Sequence, residues 1–191
     1  MRIVLATGNQ GKVAEIRDLL ADHDVVPRPE MDDPVEDGET LLDNARIKAR
    51  AVVDATGESA VADDTGLFVD ALDDAPGVHT AYYKDGTSFA HGYDRVLHEL
   101  GDRDDREATW RTIALLLHPD GTEVVAEGTC TGSIARAARG EAGFGYDPVF
   151  VPDGESRTFA EMTKADKNAV SHRGAAFRAL ASKISEQSGP S

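Results

Sequence analysis

The sequence predicts an α/β fold built on a mixed β-sheet. Short apolar, β-branched segments alternate with segments of helical spacing in the first part of the chain, whereas two long strand-like segments follow one another later. The 191 residues are 40% hydrophobic and 29% charged, which suits one compact domain or two closely packed lobes sharing a core. We therefore expect a single domain over residues 1–184 and a frayed tail over residues 185–191.

The first third of the chain contains the pattern strand, loop, helix. Residues 2–7 are apolar and β-branched, which predicts a buried strand, and the glycine-containing residues 8–11 predict a tight loop. Apolar residues of helical spacing follow over residues 13–20. After a polar stretch with three prolines, a second helix is predicted over residues 40–55.

Two adjacent acids follow the second helix. Residues 60–64 predict a short strand that ends in Asp63 and Asp64, before a turn at residues 65–66 and another apolar segment at 67–72. We therefore expect both acids at a strand end. The remaining elements are predicted from apolar spacing and turn residues: a helix over 89–100, strands over 106–118 and 122–135 joined by a hairpin turn at 119–121, a short strand over 149–151 and a helix over 166–184.

The charge of the chain excludes one class of partner. The formal net charge is −15, from 35 acidic and 20 basic residues, and it would repel the backbone of DNA or RNA. A small anion such as a nucleotide stays compatible, because a cation and a few Lys, Arg or backbone N–H groups can reverse the local field. No apolar run approaches the roughly 18–20 residues of a membrane-spanning helix, and no signal peptide is evident. We expect no membrane partner and a cytoplasmic location, which the single cysteine, Cys130, also suits.

The loop between the first strand and the first helix is a candidate phosphate site. Glycines, side-chain donors and a lysine meet there at a helix N-terminus, which offers unpaired N–H groups to phosphate oxygens. The spacing is not that of a Walker A loop, and an ordinary strand-to-helix turn would show the same residues. The candidates are Thr7, Gly8, Asn9, Gln10, Gly11 and Lys12.

Three acids are candidate magnesium ligands. Glu36, Asp63 and Asp64 offer the hard oxygen atoms that Mg²⁺ prefers, with water and phosphate oxygens completing its shell. One of them could also accept a proton from an attacking water. Acids on solvated turns are the alternative in a chain this acidic.

Two residues of the second helix are placed by their spacing. Asn44 and Lys48 lie four residues apart and share one helix face, where Lys48 either reaches a phosphate or is simply solvated. Asp43 is better explained by capping, because Thr40 and Asp43 have the spacing of a capping box.

A glycine- and aromatic-containing segment near the C-terminus is a candidate base-binding loop. Two aromatic rings and an acid suit stacking on a flat ring and hydrogen bonding to its edge. The cationic and donor groups that follow near the start of the last helix either read a 6-oxo group or hold phosphate. Core aromatics and a surface histidine are the alternative. The candidates are Phe144, Gly145, Tyr146, Asp147, Lys167, His172 and Arg173.

Taken together and in order, these segments resemble the inosine triphosphate pyrophosphatase family, also called the Ham1-like non-canonical purine NTP pyrophosphatases. The resemblance extends over residues 3–180. It is carried by ATGNQGK, LLDNARIKA, ADDTGLFVDAL with APGV, GFGYDPVF, and FAEM leading to DKNAVSHRGAA.

The resemblance implies a two-lobed α/β fold with a long mixed sheet flanked by helices, a nucleotide cleft between the lobes, and a homodimer. It implies hydrolysis of ITP, dITP and XTP to the monophosphate and pyrophosphate with Mg²⁺. By this carry-over Glu36 and Asp64 hold the metal, Asp64 also activates the water, and Asp63 supports it. Residues 7–12 cradle the phosphates, Lys12 and Lys48 offset their charge, and Lys12 is a catalytic residue together with Asp63 and Asp64. Thr65 contacts the substrate, the base-binding loop consists of Phe144, Gly145, Tyr146 and Asp147, and the pocket is completed by Lys167, His172 and Arg173.

Three departures from the family pattern stand in the chain. ADDTG replaces ADDSG and keeps the hydroxyl, and Asp43 replaces a glutamate. Tyr82 stands where the family has an arginine, which bears on local contacts or dimer packing. Two rival functions are a Maf-like pyrophosphatase acting on other nucleotides and a nucleotide-binding sensor without catalysis. The FGYD and SHRG segments disfavour the first, and the intact set of Glu36, Asp63, Asp64 and Lys12 disfavours the second.

Overall fold

The computed structural model describes residues 1–187, with only the backbone described at Gln10 and Gly11. Over this range the chain forms five α-helices and a seven-stranded mixed sheet, so the predicted α/β class is confirmed. The helices are α1 Gln10–Leu19, α2 Leu41–Thr56, α3 Gly92–Leu100, α4 Lys164–Val170 and α5 His172–Gln187. The strands are β1 Arg2–Leu5, β2 Asp24–Pro27, β3 Ala60–Val69, β4 Pro76–Gly77, β5 Glu107–Leu117, β6 Glu123–Ile134 and β7 Phe150–Pro152.

The sheet has the strand order β2-β1-β3-β5-β6-β7, with β4 paired to β3 off this path. β1 pairs in parallel with β2 and with β3, because helices α1 and α2 return the chain to the same end of the sheet. β3 pairs antiparallel with β4, and β6 with β7. The predicted turn between β5 and β6 is confirmed: Gly121 has φ 89°, and His118 N–H donates to Thr122 O at 2.9 Å.

The chain divides into two compact units. Unit 1 contains residues 1–64, 112–128 and those from 173 onwards. Successive side chains of a strand point to opposite faces, and the core of unit 1 follows this rule. One cluster joins Ile3, Leu5 and Val61 to residues of α1 and α5, and a second joins Val4 and Ala60 to residues of α2. Helices α1 and α5 therefore cover one face of the sheet in unit 1, and α2 covers the other.

Unit 2 contains residues 65–111 and 129–172. Its core joins Leu67 of β3 and Val96 of α3 to Trp110 of β5, Phe150 of β7 and Phe159. Cys130 is buried in β6 within this cluster, as expected for a small residue in a strand.

The start of α2 confirms the predicted capping box. The N–H of Asp43 donates to Thr40 Oγ1 at 3.1 Å, and the N–H of Thr40 donates to Asp43 Oδ2 at 3.2 Å. Each bond satisfies an N–H that the helix itself leaves free, so Asp43 is a capping residue.

The prediction that a turn at residues 65–66 separates two short segments is wrong. β3 runs unbroken through this point, so Asp63 and Asp64 lie inside a strand rather than at its end. Gly66 serves close packing instead of a turn, because a Cβ there would lie 2.6 Å from the carbonyl oxygen of Gly77 in β4.

The last predicted helix is two helices. Ser171, between α4 and α5, has φ −72° and ψ 151°, an extended conformation that breaks the helix while the apolar spacing continues across it. α5 extends to Gln187, beyond the predicted start of the tail at residue 185, and residues 188–191 lie outside the described part of the chain. Sequence analysis also missed β2 and β4, which are four and two residues long and carry too few apolar residues to show a period.

Candidate active site

The predicted phosphate loop leads into α1 through Asn9. The N–H of Lys12 donates to Asn9 Oδ1 at 3.3 Å, and Asn9 N–H donates to Thr7 Oγ1 at 3.2 Å. Gly8 and Asn9, which lead into the N-terminus of α1, are exposed, and a helix N-terminus attracts anions. Of the predicted residues Gln10 and Gly11, only the backbone in α1 is described.

Two arginines near this loop were missed by sequence analysis. A cavity of about 520 Å³ borders Thr7 and Gly8, and Arg17 and Arg28 are among its lining residues. Arg28 Nη2 lies 2.6 Å from Asp33 Oδ1. A Cβ at Gly8 would approach the same guanidinium nitrogen to 3.0 Å, so a glycine leaves room for Arg28 beside the loop.

Asp63 is the centre of a buried network of ion pairs. Lys12 Nζ lies 3.1 Å from Asp63 Oδ2, and Arg173 Nε lies 3.3 Å from the same oxygen. Arg173 Nη1 in turn lies 2.8 Å from Glu15 Oε2. Asp63, Arg173 and Glu15 are all buried, so each charge depends on the others for compensation.

The electrostatics of this network keep Asp63 ionised. Burial alone would raise the pKa of Asp63, but Lys12 and Arg173 hold that pKa well below its usual range. Burial lowers the pKa of Lys12, against the attraction of Asp63. Burial would also lower the pKa of Arg173, but Asp63 and Glu15 raise it. Asp63 is therefore a fixed negative charge and a poor proton acceptor.

Asp64 belongs to a separate group of side chains. Lys48 Nζ lies 2.7 Å from Asp64 Oδ1 and 3.1 Å from Glu36 Oε2, so the two predicted metal ligands converge on one ammonium group. Asn44 Nδ2 donates to Asp64 Oδ2 at 3.3 Å, and Gly38 N–H donates to Asn44 Oδ1 at 2.9 Å. Asn44 and Lys48 thus share one helix face, as predicted, and that face meets Asp64.

The pKa values of Asp64 and Lys48 are raised, whereas those of Asp63 and Lys12 are lowered. Burial raises the pKa of Asp64, with Lys48 opposing it. Burial would lower the pKa of Lys48, but Asp64 and Asp63 raise it above its ordinary value. Asp64 is therefore the more basic of the two adjacent carboxylates.

The donor set fits a hard divalent cation. The carboxylates of Glu36 and Asp64 meet at the position of the Lys48 ammonium group, so negative charge from two segments is directed at one point. Mg²⁺ typically takes one or two carboxylates and completes its octahedron with water and phosphate oxygens. Among the residues that the structure describes, no group of three or more His, Cys, Asp or Glu side chains is placed to hold a metal ion.

The predicted base-binding residues lie in unit 2, where Asp147 and Lys167 form a buried pair. Lys167 Nζ lies 2.7 Å from Asp147 Oδ2 and 4.8 Å from the centroid of the Phe144 ring. The N–H of Phe144 donates to the same carboxylate oxygen at 2.8 Å. Gly143 has φ 79°, and a Cβ there would lie 2.0 Å from Asp147 Oδ2, so this tight loop requires glycine.

The two aromatic residues of this loop have different surroundings. Tyr146 is buried in the core of unit 2, and its hydroxyl donates to Thr80 O at 3.1 Å. Tyr146 is therefore a core aromatic residue, which was the alternative to a role in binding the base. Phe144 is half-buried and Gly145 is exposed. Thr65 is half-buried in β3, directly after Asp64.

His172 is buried, so the alternative of a surface histidine is wrong for this residue. Its ring stacks on Trp110, with centroids 4.8 Å apart, and tilts against Phe159 at 6.1 Å. Arg173, predicted to complete the pocket with Lys167 and His172, contacts Asp63 and Glu15 in unit 1.

The structure therefore places the predicted site residues in both units. Unit 1 contains the network of Lys12, Asp63 and Arg173, the separate group of Glu36, Lys48 and Asp64, and the loop residues Thr7, Gly8 and Asn9. Unit 2 brings together Phe144, Asp147, Lys167 and, through Phe159, His172. Sequence analysis missed Glu15, Trp110 and the contact of Asn44 with Asp64. The spacing of Glu15 three residues after Lys12 was the available signal, because residues three apart are neighbours on a helix.

No helix among the described residues is both long and apolar enough to cross a membrane.

Residues 3–183 match the Ham1 family. A relative from Streptomyces coelicolor, named dITP/XTP pyrophosphatase, is 46% identical, and the alignment covers 97% of this chain and 98% of the relative.

Two solved structures are also similar. The Ham1 protein of Staphylococcus aureus is 33% identical with a TM-score of 0.85, covering 98% of this chain and 100% of that chain. The nucleoside-triphosphatase, or dITP/XTP pyrophosphatase, of Mycobacterium abscessus is 43% identical with a TM-score of 0.73, covering 96% and 97%. With its ordered motifs, its mixed sheet and these relatives, the chain belongs to the Ham1 family.

Proposed function

We propose that this protein hydrolyses the non-canonical purine nucleoside triphosphates ITP, dITP and XTP to the monophosphate and pyrophosphate. The observation that carries the proposal is the convergence of Glu36 and Asp64 on the ammonium group of Lys48. The arrangement combines carboxylates for a cation with a lysine for phosphate. The names of relatives at 46% and 43% identity support the substrate class.

The triphosphate would bind to cationic and N–H groups of unit 1. The N-terminus of α1, next to the exposed Gly8 and Asn9, would offer backbone N–H groups. Lys12 and Lys48 are anchored by Asp63 and Asp64, which holds their ammonium groups in place to offset phosphate charge.

Glu36 and Asp64 would hold Mg²⁺, which when bound supplies Lewis acidity and charge neutralisation at the phosphates. Asp64 would orient a water molecule for attack on the α-phosphorus and accept its proton. Burial raises the pKa of Asp64, which makes it a stronger base. A P–O bond forms to the water oxygen, the bond to the bridging oxygen breaks, and pyrophosphate leaves. No covalent intermediate with the protein is needed.

Asp63 and Arg173 would support this reaction without contacting the purine. Asp63 is kept ionised by Lys12 and Arg173, and Arg173 is held by Glu15. We therefore assign Arg173 to the ion-pair network of Asp63 and Glu15 and not to recognition of the purine.

The purine would be recognised by the group in unit 2. The loop of Phe144, Gly145, Tyr146 and Asp147 supplies a half-buried ring and backbone groups, while Lys167 and His172 supply donors. A 6-oxo group accepts hydrogen bonds, whereas adenine's 6-amino group would leave each donor unpaired at a cost of about 1–3 kcal/mol. Guanine also carries the 6-oxo group, so the binding pocket must exclude it through its 2-amino substituent. Thr65 would contact the substrate through its hydroxyl.

We further propose that the protein acts as a cytoplasmic homodimer on free nucleotides, without a membrane or nucleic-acid polymer as partner. The net charge of −15 supports the last part, because it opposes binding to a polyanion.

A panel of triphosphates with separate detection of pyrophosphate and phosphate tests the function. We expect pyrophosphate from dITP, ITP and XTP in the presence of Mg²⁺, and much less from ATP and GTP. Preference for a pyrimidine triphosphate would indicate the Maf-like alternative. Binding without release of any product would indicate the sensor.

A further inference from the structure

The imidazole of His172 is stacked on the indole of Trp110. The Trp110 and His172 rings are stacked, with planes 16° apart and centroids 4.8 Å apart. Both residues are almost fully buried, at 6% and 4% exposure. His172 is the first residue of α5 and follows the extended Ser171. The indole therefore constrains the plane of this imidazole on one face.

Trp110 is itself held firmly. It lies in β5, and it meets Tyr146 edge-to-face at 5.8 Å and Phe150 at 6.2 Å. Aromatic contacts of this geometry resist rotation of the ring, because each neighbour fills the space that a rotated indole would need. The indole therefore offers His172 a rigid surface.

The hydrogen-bonding group of Trp110 does not explain its presence. Its Nε1 is buried and has no hydrogen-bond partner among the residues that the structure describes. A buried N–H without a partner disfavours folding. A phenylalanine would fill part of the same space without this disadvantage, so the flat face of the ring, and not the N–H group, is the feature that its environment uses.

We propose that Trp110 is a positioning residue that fixes the plane of the His172 imidazole for recognition of the purine. The inference rests on the proposed function for its link to substrate, but the stacking itself is independent of it. Trp110 touches His172 and not the reacting atoms, so its loss changes substrate recognition more than the chemical step.

Two substitutions at one position separate stacking from the N–H group. Trp110→Phe keeps a flat ring and removes the unpaired N–H, and we expect its KM for dITP within about twofold of wild type. Trp110→Leu removes the flat ring, and we expect KM to rise about two- to tenfold with a smaller change in kcat. Leu100→Ala is the matched control, because Leu100 lies in the same core cluster and has no ring to stack. It should lower stability without raising KM.

An NMR measurement tests the geometry without activity. In the wild-type protein the stacked indole should shift the His172 ring protons upfield, with assignment by loss of the signals in His172→Gln. Trp110→Leu should return them toward the values of a free histidine. An unshifted His172 signal in the wild-type protein overturns the proposal even where Trp110→Leu fails to fold.

The failures of the two ideas are distinguishable. A wild-type protein that releases no pyrophosphate from any triphosphate contradicts the proposed function, and the NMR signals then decide the stacking alone. A Trp110→Leu protein that loses the upfield shift but keeps the wild-type KM contradicts the role of Trp110 in recognition. Equal KM increases in Trp110→Leu and Leu100→Ala would do the same.

Discussion

Asp63 and Asp64 are neighbours in β3 whose carboxylates serve opposite faces of the sheet in unit 1. Asp63 contacts Lys12 of α1 and Arg173 of α5, whereas Asp64 contacts Lys48 and Asn44 of α2. The alternation of side chains along a strand produces this division. The two acids therefore differ in pKa and in task, although they are adjacent in sequence.

Asp64→Asn should abolish turnover with the fold retained. The amide is the same size and can still bond Lys48, but it can neither accept a proton nor neutralise a cation. We expect kcat for pyrophosphate release to fall at least 10²-fold, on the order of a general-base contribution, with a melting temperature near wild type. Wild-type-like rates would remove Asp64 from the mechanism.

Glu15→Gln should destabilise the protein. It removes the charge that lies 2.8 Å from Arg173 and leaves that buried guanidinium with Asp63 as its remaining anionic contact in this network. We expect a loss of about 3 kcal/mol in the free energy of unfolding, measured with urea. Glu58→Gln is the control, because its pair with Arg2 is well exposed and should contribute less than about 1 kcal/mol. Equal losses in both variants would contradict a special role for the buried network.

Asn44→Ala should weaken the proposed magnesium site. Asn44 bonds both Asp64 and the backbone of Gly38, two residues after Glu36, so it links the segments that carry the two carboxylates. We expect the Mg²⁺ concentration for half-maximal activity to rise about 10-fold or more, as for other residues that orient metal ligands.

The adjacent variant Asp43→Ala is the control for Asn44→Ala. It removes the capping partner of Thr40 and should lower stability by about 1 kcal/mol at an unchanged Mg²⁺ requirement. The same Mg²⁺ requirement in both variants and the wild type would contradict the linking role of Asn44.

Cys130 should be unreactive in the native state at neutral pH. Burial and then Asp153 raise the pKa of its thiol to about 11, so the reactive thiolate is scarce. A thiol reagent such as DTNB should react slowly at pH 7.5 and quickly after unfolding in urea.

The raised pKa of Cys130 also predicts an alkaline effect on stability. The pKa of the Cys130 thiol in the folded state exceeds its unfolded value of about 8.5. The folded state therefore binds this proton more tightly, and the resulting stabilisation is fully present below about pH 8.5. This contribution declines as the pH rises through about 11. Cys130→Ala should therefore lose less stability than wild type between these pH values, and an identical pH profile would contradict the shift.

Local signals in the sequence determined most of the elements. Three signals are each encoded within a few residues: the capping box of Thr40 and Asp43, the hairpin turn that contains Gly121, and the apolar spacing of α1 and α2. Helix caps and turns are encoded in this way because they depend on neighbouring backbone groups. The order of the motifs was enough to predict the family.

Short-range spacing did not show where elements end or join. The continuity of β3 through Gly66 depends on the approach of Gly77, and the break at Ser171 does not interrupt the apolar pattern of the helices beside it. Both are set by packing that residues two or four apart do not report.

By itself, the sequence determined the fold class, the family and which residue types are available for phosphate, cation and purine. Only the tertiary structure decided that Asp63 is paired with Arg173, 110 residues away, that Asp64 shares Lys48 with Glu36, and that His172 lies on Trp110. The physical reason is that charge compensation and ring stacking act through space over a few ångströms, whereas sequence patterns record only neighbours along the chain.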